Sequence, residues 1–247
     1  SKLTLEPGVN LIMEDNVTIL LQGPNALFDV QGALNQVTIK GTKNLSVLRG
    51  AATTGGTLKL STGSINMQSN SHFVVDDCRV LLNDVTLSYQ QDADFTLNGS
   101  NAYIDVPQPC NISIGSGHSM MVKKGADLTG GTLNLNSGLF DLYTNGVLTS
   151  DHCKIVLNDY TFNYYHNAHI NLNGEEAMLQ FGGLINLQSQ ADLHFSGNGY
   201  FGFKLNPIGN GDINIHGDAS NSITLIGSGK SDKIAEVVSP TYVKADD

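Results

Sequence analysis

The sequence predicts an all-β chain wound into a parallel β-solenoid, with about three strands and 25 residues per turn, and three observations carry that expectation. The stretch 55–99 is written again without a gap at 130–174, with 18 of its 45 positions identical at an offset of 75 residues; chance from average composition gives about one in fifteen. Short apolar runs recur throughout, nine of them between Val37 and Asn111, so one 75-residue unit holds three turns of three strands. A leucine followed by asparagine and a small or turn-forming residue recurs at Leu82-Asn83-Asp84, Leu97-Asn98-Gly99, Leu135-Asn136-Ser137, Leu157-Asn158-Asp159 and Leu172-Asn173-Gly174. Asparagine tolerates left-handed backbone and bonds neighbouring main chain, so Asn83, Asn98, Asn136, Asn158 and Asn173 are read as structural corner residues. An antiparallel sandwich also has corners, but nothing in it requires nine strands per 75-residue unit.

The elements follow in order. Residues 9–13 and 16–21 are apolar runs set off by Pro7-Gly8 and Asp15-Asn16, which read as strands and turns. The rhythm continues at 27–30, 37–39, 45–48, 57–60, 65–67, 73–75, 79–82, 85–89, 95–97 and 102–106. Val37-Thr38-Ile39 returns as Ile112-Ser113-Ile114, and the segment 21–26 returns at 97–102 and 172–177. The super-repeat copies therefore cover about 17–36 (partial), 37–111 and 112–190, with looser coils to 226, all in one domain. Residues 227–247 are polar and read as a cap, linker or tail.

Composition agrees with many short strands. Charged residues are only 15% of the 247, Gly numbers 27 and Trp is absent. The net charge is -10 and only Arg49 and Arg79 supply guanidinium groups, so a phosphate-tracking surface lacks its main tool and no nucleic-acid partner is expected. No apolar run approaches the ~20 residues that span a bilayer, and the first residues lack the regions of a signal peptide. A soluble piece processed from something larger, without membrane insertion, is expected. Cys78 and Cys153 hold equivalent places three turns apart, about 14 Å at the strand spacing, beyond the reach of a disulfide. All three cysteines, Cys110 included, are read as small buried apolar residues, which fits folding in a reducing cytosol.

The search for chemistry yields few candidates. Tyr160, Phe162 and Tyr164 share a strand face with the look of core, as do Val85, Leu87 and Tyr89, while Asn163 and Tyr165 point the other way. Asn163, Tyr165, His166 and His169 form the most ligand-like cluster, because aromatic and imidazole groups stack on sugar rings or bond their hydroxyls. The same residues also fit an ordinary polar edge beside a turn. Asp76 and Asp77 are adjacent, so on a strand they face opposite sides and do not act as a carboxylate pair. Asp84 and Asp159 recur with the repeat and read as turn residues; Glu175 and Glu176 replace Ser100 and Asn101 and read as a solvated loop tip. The seven histidines show no His-x-x-x-His spacing, and no calcium loop, nucleophile elbow or phosphate loop is present. No catalytic residue, metal site or cofactor is assigned.

Leu5-Glu6-Pro7-Gly8-Val9-Asn10 followed by 35–41 resembles the first coils of the pectate-lyase-like right-handed β-helix superfamily. The segment 130–138 is similar to coils of autotransporter passengers and filamentous-haemagglutinin-like adhesins. The resemblance implies an extracellular right-handed β-helix of the kind found in phage tail spikes and fibres, surface adhesins and polysaccharide-cleaving enzymes. Of the polygalacturonase elements, Asp76-Asp77 and His216-Gly217 have counterparts 140 residues apart, but Arg-x-Lys is missing. The expected function is a non-catalytic, receptor-binding segment of a phage tail fibre or spike. The alternatives are a bacterial adhesin or autotransporter passenger, and a polysaccharide lyase or hydrolase. The resemblance also implies a homo-oligomer, a trimer, with a host-surface glycan or receptor as partner, located on a virion tail or, alternatively, on the bacterial surface.

Overall fold

The computed structural model describes residues 2–5, 16–31, 36–39, 43–174, 176–188, 191–197, 200–203, 214–216 and 222–227. Every described element is a strand, and every strand pairing is parallel. In chain order they are β1 (Lys2–Leu5), β2 (Val17–Leu20), β3 (Leu27–Val30), β4 (Gln36–Ile39), β5 (Asn44–Leu48), β6 (Thr57–Leu60), β7 (Gly63–Met67), β8 (His72–Asp76), β9 (Arg79–Leu82), β10 (Val85–Tyr89), β11 (Asp94–Asn98) and β12 (Tyr103–Val106). Then come β13 (Ile112–Ile114), β14 (Ser119–Lys123), β15 (Thr132–Leu142), β16 (Val147–Asp151), β17 (Lys154–Tyr164), β18 (His169–Asn173), β19 (Met178–Leu187), β20 (Asp192–Gly197), β21 (Tyr200–Phe203), β22 (Asn214–His216) and β23 (Ser222–Gly227). The nine strands expected between Val37 and Asn111 are β4 to β12.

The strands stack into three parallel sheets around a closed interior, a β-solenoid of about seven turns. The first sheet runs β1-β3-β6-β9-β12-β15-β17-β19-β21 and the third runs β2-β5-β8-β11-β14-β16-β18-β20-β23. The second begins as β4-β7-β10. It continues past β13 through the distal halves of β15, β17 and β19, which run from one sheet into the next. Nine rungs of the first sheet at ~4.8 Å make a rod roughly 40 Å long.

Alternation sends every second residue inward. Leu58, Val80, Ile104, Leu133, Ile155 and Leu179 form one interior column, and Phe73 and Phe95 stack in another with centroids 6.3 Å apart. Phe162 bridges Phe140 (5.2 Å) and Phe181 (5.8 Å). Tyr160, Phe162, Tyr164, Val85 and Leu87 are buried, as the alternation required, and Tyr89 packs against them. Each such side chain contributes about 1.5–3 kcal/mol by leaving water. A rung exposes its own edges and half an interior, so the burial exists only once neighbours are stacked.

The corner from third to first sheet explains the 75-residue period. Thr57, Arg79, Tyr103 and Thr132 are in register, so successive turns take 22, 24 and 29 residues; Thr132, Lys154 and Met178 then repeat 22 and 24. The turns differ in how they cross this corner. In the 22-residue turn it is a two-residue step through Asp77-Cys78 or His152-Cys153, with Asp77 (φ 44°) and His152 (φ 54°) left-handed. The 24-residue turn uses a hydrogen-bonded turn, Gly99 to Ala102 or Gly174 to Ala177, and the same turn appears at Gly23 to Ala26. In the 29-residue turn a loop leaves after Arg49 or Lys124 and returns at Gly55-Gly56 or Gly130-Gly131. The returning loop is locked on both sides. Gly55 N–H bonds Asp77 O and Gly130 N–H bonds His152 O, while Gln22 and Asn98 bridge Gly55 and Gly130 from the other side.

A column of small residues threads this corner, Ala26, Gly56, Cys78, Ala102, Gly131, Cys153 and Ala177, and the carbonyls of the first six each accept a backbone N–H from the next rung. A Cβ on Gly131 would lie 2.0 Å from Ala102 O, and one on Gly130 would lie 2.2 Å from Cys153 Sγ. That is why the Gly-Gly pair and the cysteine return together. All three cysteines are free and buried. Burial pushes the Cys78 thiol up to about 11 and those of Cys110 and Cys153 up to about 12.

The left-handed positions are not the asparagines that the Leu-Asn motif singled out. Asn83 lies in the turn after β9, Asn98 and Asn173 end β11 and β18, and Asn136 and Asn158 lie within β15 and β17. None of these five has positive φ. Asn136, Asn158 and Asn134 instead form an amide ladder on Asp105: Asn158 Nδ2 donates to Asn134 Oδ1 (2.9 Å) and Asn136 Oδ1 (2.8 Å), and Asn134 Nδ2 donates to Asp105 Oδ1 (2.8 Å). The left-handed side-chain residues at the corner from second to third sheet are Asn70, Asp92, Asn145 and Asn167, with φ between 53° and 62°. The polar stretch beyond Gly227 lies outside the described residues, as does Glu175.

Candidate functional site

Two surface sites gather chemistry-bearing side chains. The first sits on the corner from third to first sheet. Asp76 ends β8 facing outward, and the left-handed backbone at Asp77 then turns the chain, so the strand rule that sends neighbours to opposite faces stops applying. This corrects the expectation for the pair: both carboxylates converge on Arg49, which precedes the loop one rung below. Arg49 Nη1 pairs with Asp77 Oδ2, Nε lies 3.5 Å from Asp76 Oδ2, and Nη2 lies 3.3 Å from Asp127 Oδ2 in the next loop. Asn98 stands between them, donating to Asp76 Oδ1 (2.6 Å) and Asp127 Oδ2 (3.2 Å) while accepting from Asp127 N (2.8 Å). Oxygens of Asp76, Asp77 and Asp127 come within 4.8 Å of one another, the spacing of a cation site. The guanidinium contacts all three, so the cluster carries its own cation.

In the second copy the arrangement changes. Lys124 replaces Arg49 and reaches Leu128 O (3.4 Å), and His152 replaces Asp77 and pairs with Asp151 (2.6 Å). The acidic cluster therefore belongs to the junction where Arg49, Asp76 and Asp77 of one copy meet Asp127 of the next.

The second site lies where the second sheet meets the third. Each rung there turns through four residues, closed by an N–H to O=C bond from Ser71 to Gln68, Ala93 to Gln90, His118 to Gly115, Gly146 to Tyr143, Ala168 to Tyr165 and Ala191 to Gln188. From inside, Tyr89 Oη donates to Ala93 O (2.9 Å) and Tyr164 Oη to Ala168 O. The first turn residue points outward, so Gln68, Gln90, Gly115, Tyr143, Tyr165 and Gln188 form one column. Tyr143 and Tyr165 stack with centroids 4.7 Å apart and planes 29° apart. Burial pushes the Tyr165 phenol up, helped by Tyr143 and the Asp141 carboxylate.

Beside the rings runs a polar ladder, with Asn163 Nδ2 on Asp141 Oδ1 (2.7 Å) and Asn186 Nδ2 on Asn163 Oδ1 (2.8 Å). Of the residues picked from sequence, Asn163 and Tyr165 share this strip. His166 is exposed on the turn, and His169 is exposed at the start of β18, round the corner on the third sheet. Sequence reasoning missed Tyr143 and Asp141, their neighbours one rung earlier. The signal was available in the repeat, because Tyr143 and Tyr165 both stand where the first copy has glutamine, Gln68 and Gln90.

Fold and sites together define a parallel β-solenoid with a decorated outer surface. No protein-family model, curated protein or solved structure matches the chain. Among the described residues no helix is long and apolar enough to cross a membrane.

Proposed function

We propose that the chain is a non-catalytic structural and receptor-binding segment of an extracellular fibre, a phage tail fibre or tail spike that meets the host surface as a homotrimer. The observation that carries this reading is the division between interior and surface. Between the two copies the corner glycines and cysteine persist and the inward positions stay apolar or aromatic, Val75 becoming Ser150 excepted, whereas the outward residues Asn66, Gln68, Ser88 and Gln90 become Asp141, Tyr143, Asn163 and Tyr165. A stacked rod keeps its core and varies what it displays. The test is immunogold electron microscopy with an antibody against the chain, together with light scattering. Label on virion tails and a mass near three times 26.3 kDa are expected. Label confined to bacterial envelopes identifies a surface adhesin or autotransporter passenger instead, and a monomeric mass at micromolar concentration refutes the trimer.

One observation favours a second reading, a polysaccharide lyase or hydrolase: the convergence of Asp76, Asp77 and Asp127 on one corner. Carboxylate pairs serve glycoside cleavage when held about 5–9.5 Å apart with one free to exchange a proton. Here Arg49 bonds all three, which suits a structural clamp better. Release of reducing ends from capsular or pectic polysaccharide, abolished in Asp76→Asn or Asp77→Asn, would establish the enzyme.

A further inference from the structure

We infer that Tyr143 is the platform of a subsite for an uncharged sugar ring, with Ser113, Asp141 and Asn163 as its hydrogen-bonding wall; this rests on the receptor-binding reading and gives it a ligand class and a place.

The internal repeat acts as a control. Gln68 and Gln90 open the same hydrogen-bonded four-residue turn as Tyr143 and Tyr165, and the Gln90 and Tyr165 turns also share the inward tyrosine-to-alanine bond. The corner therefore folds without an outward aromatic ring, and the two rings answer no demand of the backbone. They are also placed for use. Their 4.7 Å separation equals the spacing of adjacent strands, so the rings are piled along the rod axis and Tyr165 covers one face of Tyr143. The other face of Tyr143 looks onto the rung below, where the same column position is Gly115, which has no side chain to cover it. Tyr143 accordingly remains 36% exposed while Tyr165 is half-buried. A Cβ on Gly115 would lie 2.9 Å from Gln91 Oε1 and 3.3 Å from His118 Cδ2, so the Gln91 amide and the His118 ring border this side of the column.

The wall supplies what a sugar needs besides an apolar face. Ser113, Asp141 and Asn163 are in register on adjacent rungs, two residues before the aromatic column and on the same outward side. Asn163 occupies Asp141 Oδ1, and Asp141 Oδ2 has no hydrogen-bond partner among the described residues. A ring with axial C–H groups against Tyr143 would direct its hydroxyls to this carboxylate, the Asn163 amide and the exposed Ser113 hydroxyl. Charge selects the class. The strip's one ionised group is Asp141 and the chain carries -10 overall, so a uronate or sialate meets repulsion and a neutral hexose or N-acetylhexosamine does not.

The experiment uses the full chain on an array of neutral hexaoses (gluco-, manno-, galacto- and N-acetylglucosamine series) and acidic ones (polygalacturonate, polysialate), followed by titration of each hit. The variants are Tyr143→Gln, which restores the first copy's residue, and Tyr143→Phe. Binding to a neutral series, weakened about tenfold or more by Tyr143→Gln and less than about threefold by Tyr143→Phe with unchanged melting, is the expected result. Neutral-glycan binding untouched by Tyr143→Gln overturns the subsite while leaving the receptor-binding reading intact. Binding to acidic series alone overturns the ligand class. No binding to any glycan overturns the inference altogether, and immunogold labelling decides the fibre reading separately.

Discussion

Asp76 and Asp77 are consecutive in the chain, yet both carboxylates close on one guanidinium, that of Arg49. The left-handed turn at Asp77 makes this geometry, and Asp127 joins from the next loop, so one side chain ties three turns together. Arg49→Ala leaves three carboxylates, one of them buried, without their cation. A loss of about 1–3 kcal/mol is expected, reduced from a fully buried pair because Arg49 and Asp127 are partly exposed. Arg49→Lys keeps the charge but not the fork and falls between. Urea unfolding midpoints measure both; equal stability of wild type and Arg49→Ala refutes the clamp.

Gly131→Ala and Gly117→Ala separate two roles of glycine. At Gly131 a Cβ meets Ala102 O at 2.0 Å, so adjacent rungs must part, and a loss above about 3 kcal/mol or failure to fold is expected. Gly117 (φ 75°) has nothing within 4 Å, so alanine there costs only its left-handed backbone, about 1–2 kcal/mol. Thermal melts followed by circular dichroism rank the two.

The cysteines predict an alkaline limit. In the fold the thiols titrate at about 11 to 12, against an ordinary value of 9.0. Above 9 the unfolded chain releases protons that the folded chain retains, so stability is complete below that pH and declines as pH rises towards 11–12. Urea midpoints measured across pH 8–11 follow that decline, and Cys110→Ala flattens it. Native protein at pH 8 reacts with a thiol reagent far more slowly than unfolded protein, which shows three thiols.

Tyr89→Phe and Tyr164→Phe remove the same bond in the two copies, from phenol to the alanine carbonyl closing the turn. Each costs about 1 kcal/mol. The two lie three rungs apart, so the double variant sums the singles. Strong non-additivity in equilibrium unfolding would contradict independent corners.

The solenoid was readable from sequence because its determinants are periodic: alternating apolar residues, turn residues at fixed intervals and a long echo. Corner chemistry was harder to read. Asn136 and Asn158 looked like left-handed corners but build a ladder on Asp105, because stacked amides satisfy one another along the axis. Asp76 and Asp77 looked divided because the alternation rule assumes the strand continues, and it ends at Asp76. The strip at Tyr143 lay hidden because its members are separated by a full turn of chain. What marked it was a departure from the repeat, not a motif.

The three kinds of corner return in fixed order, so the two loops that begin at Arg49 and Lys124 emerge from one side of the rod three rungs apart, a pitch of about 14 Å. Adding another whole unit by tandem duplication would lengthen the shaft by that increment and present a further loop on the same flank. The gene thus holds a ruler whose graduations are copies of itself, able to reset its reach without redesigning a single contact.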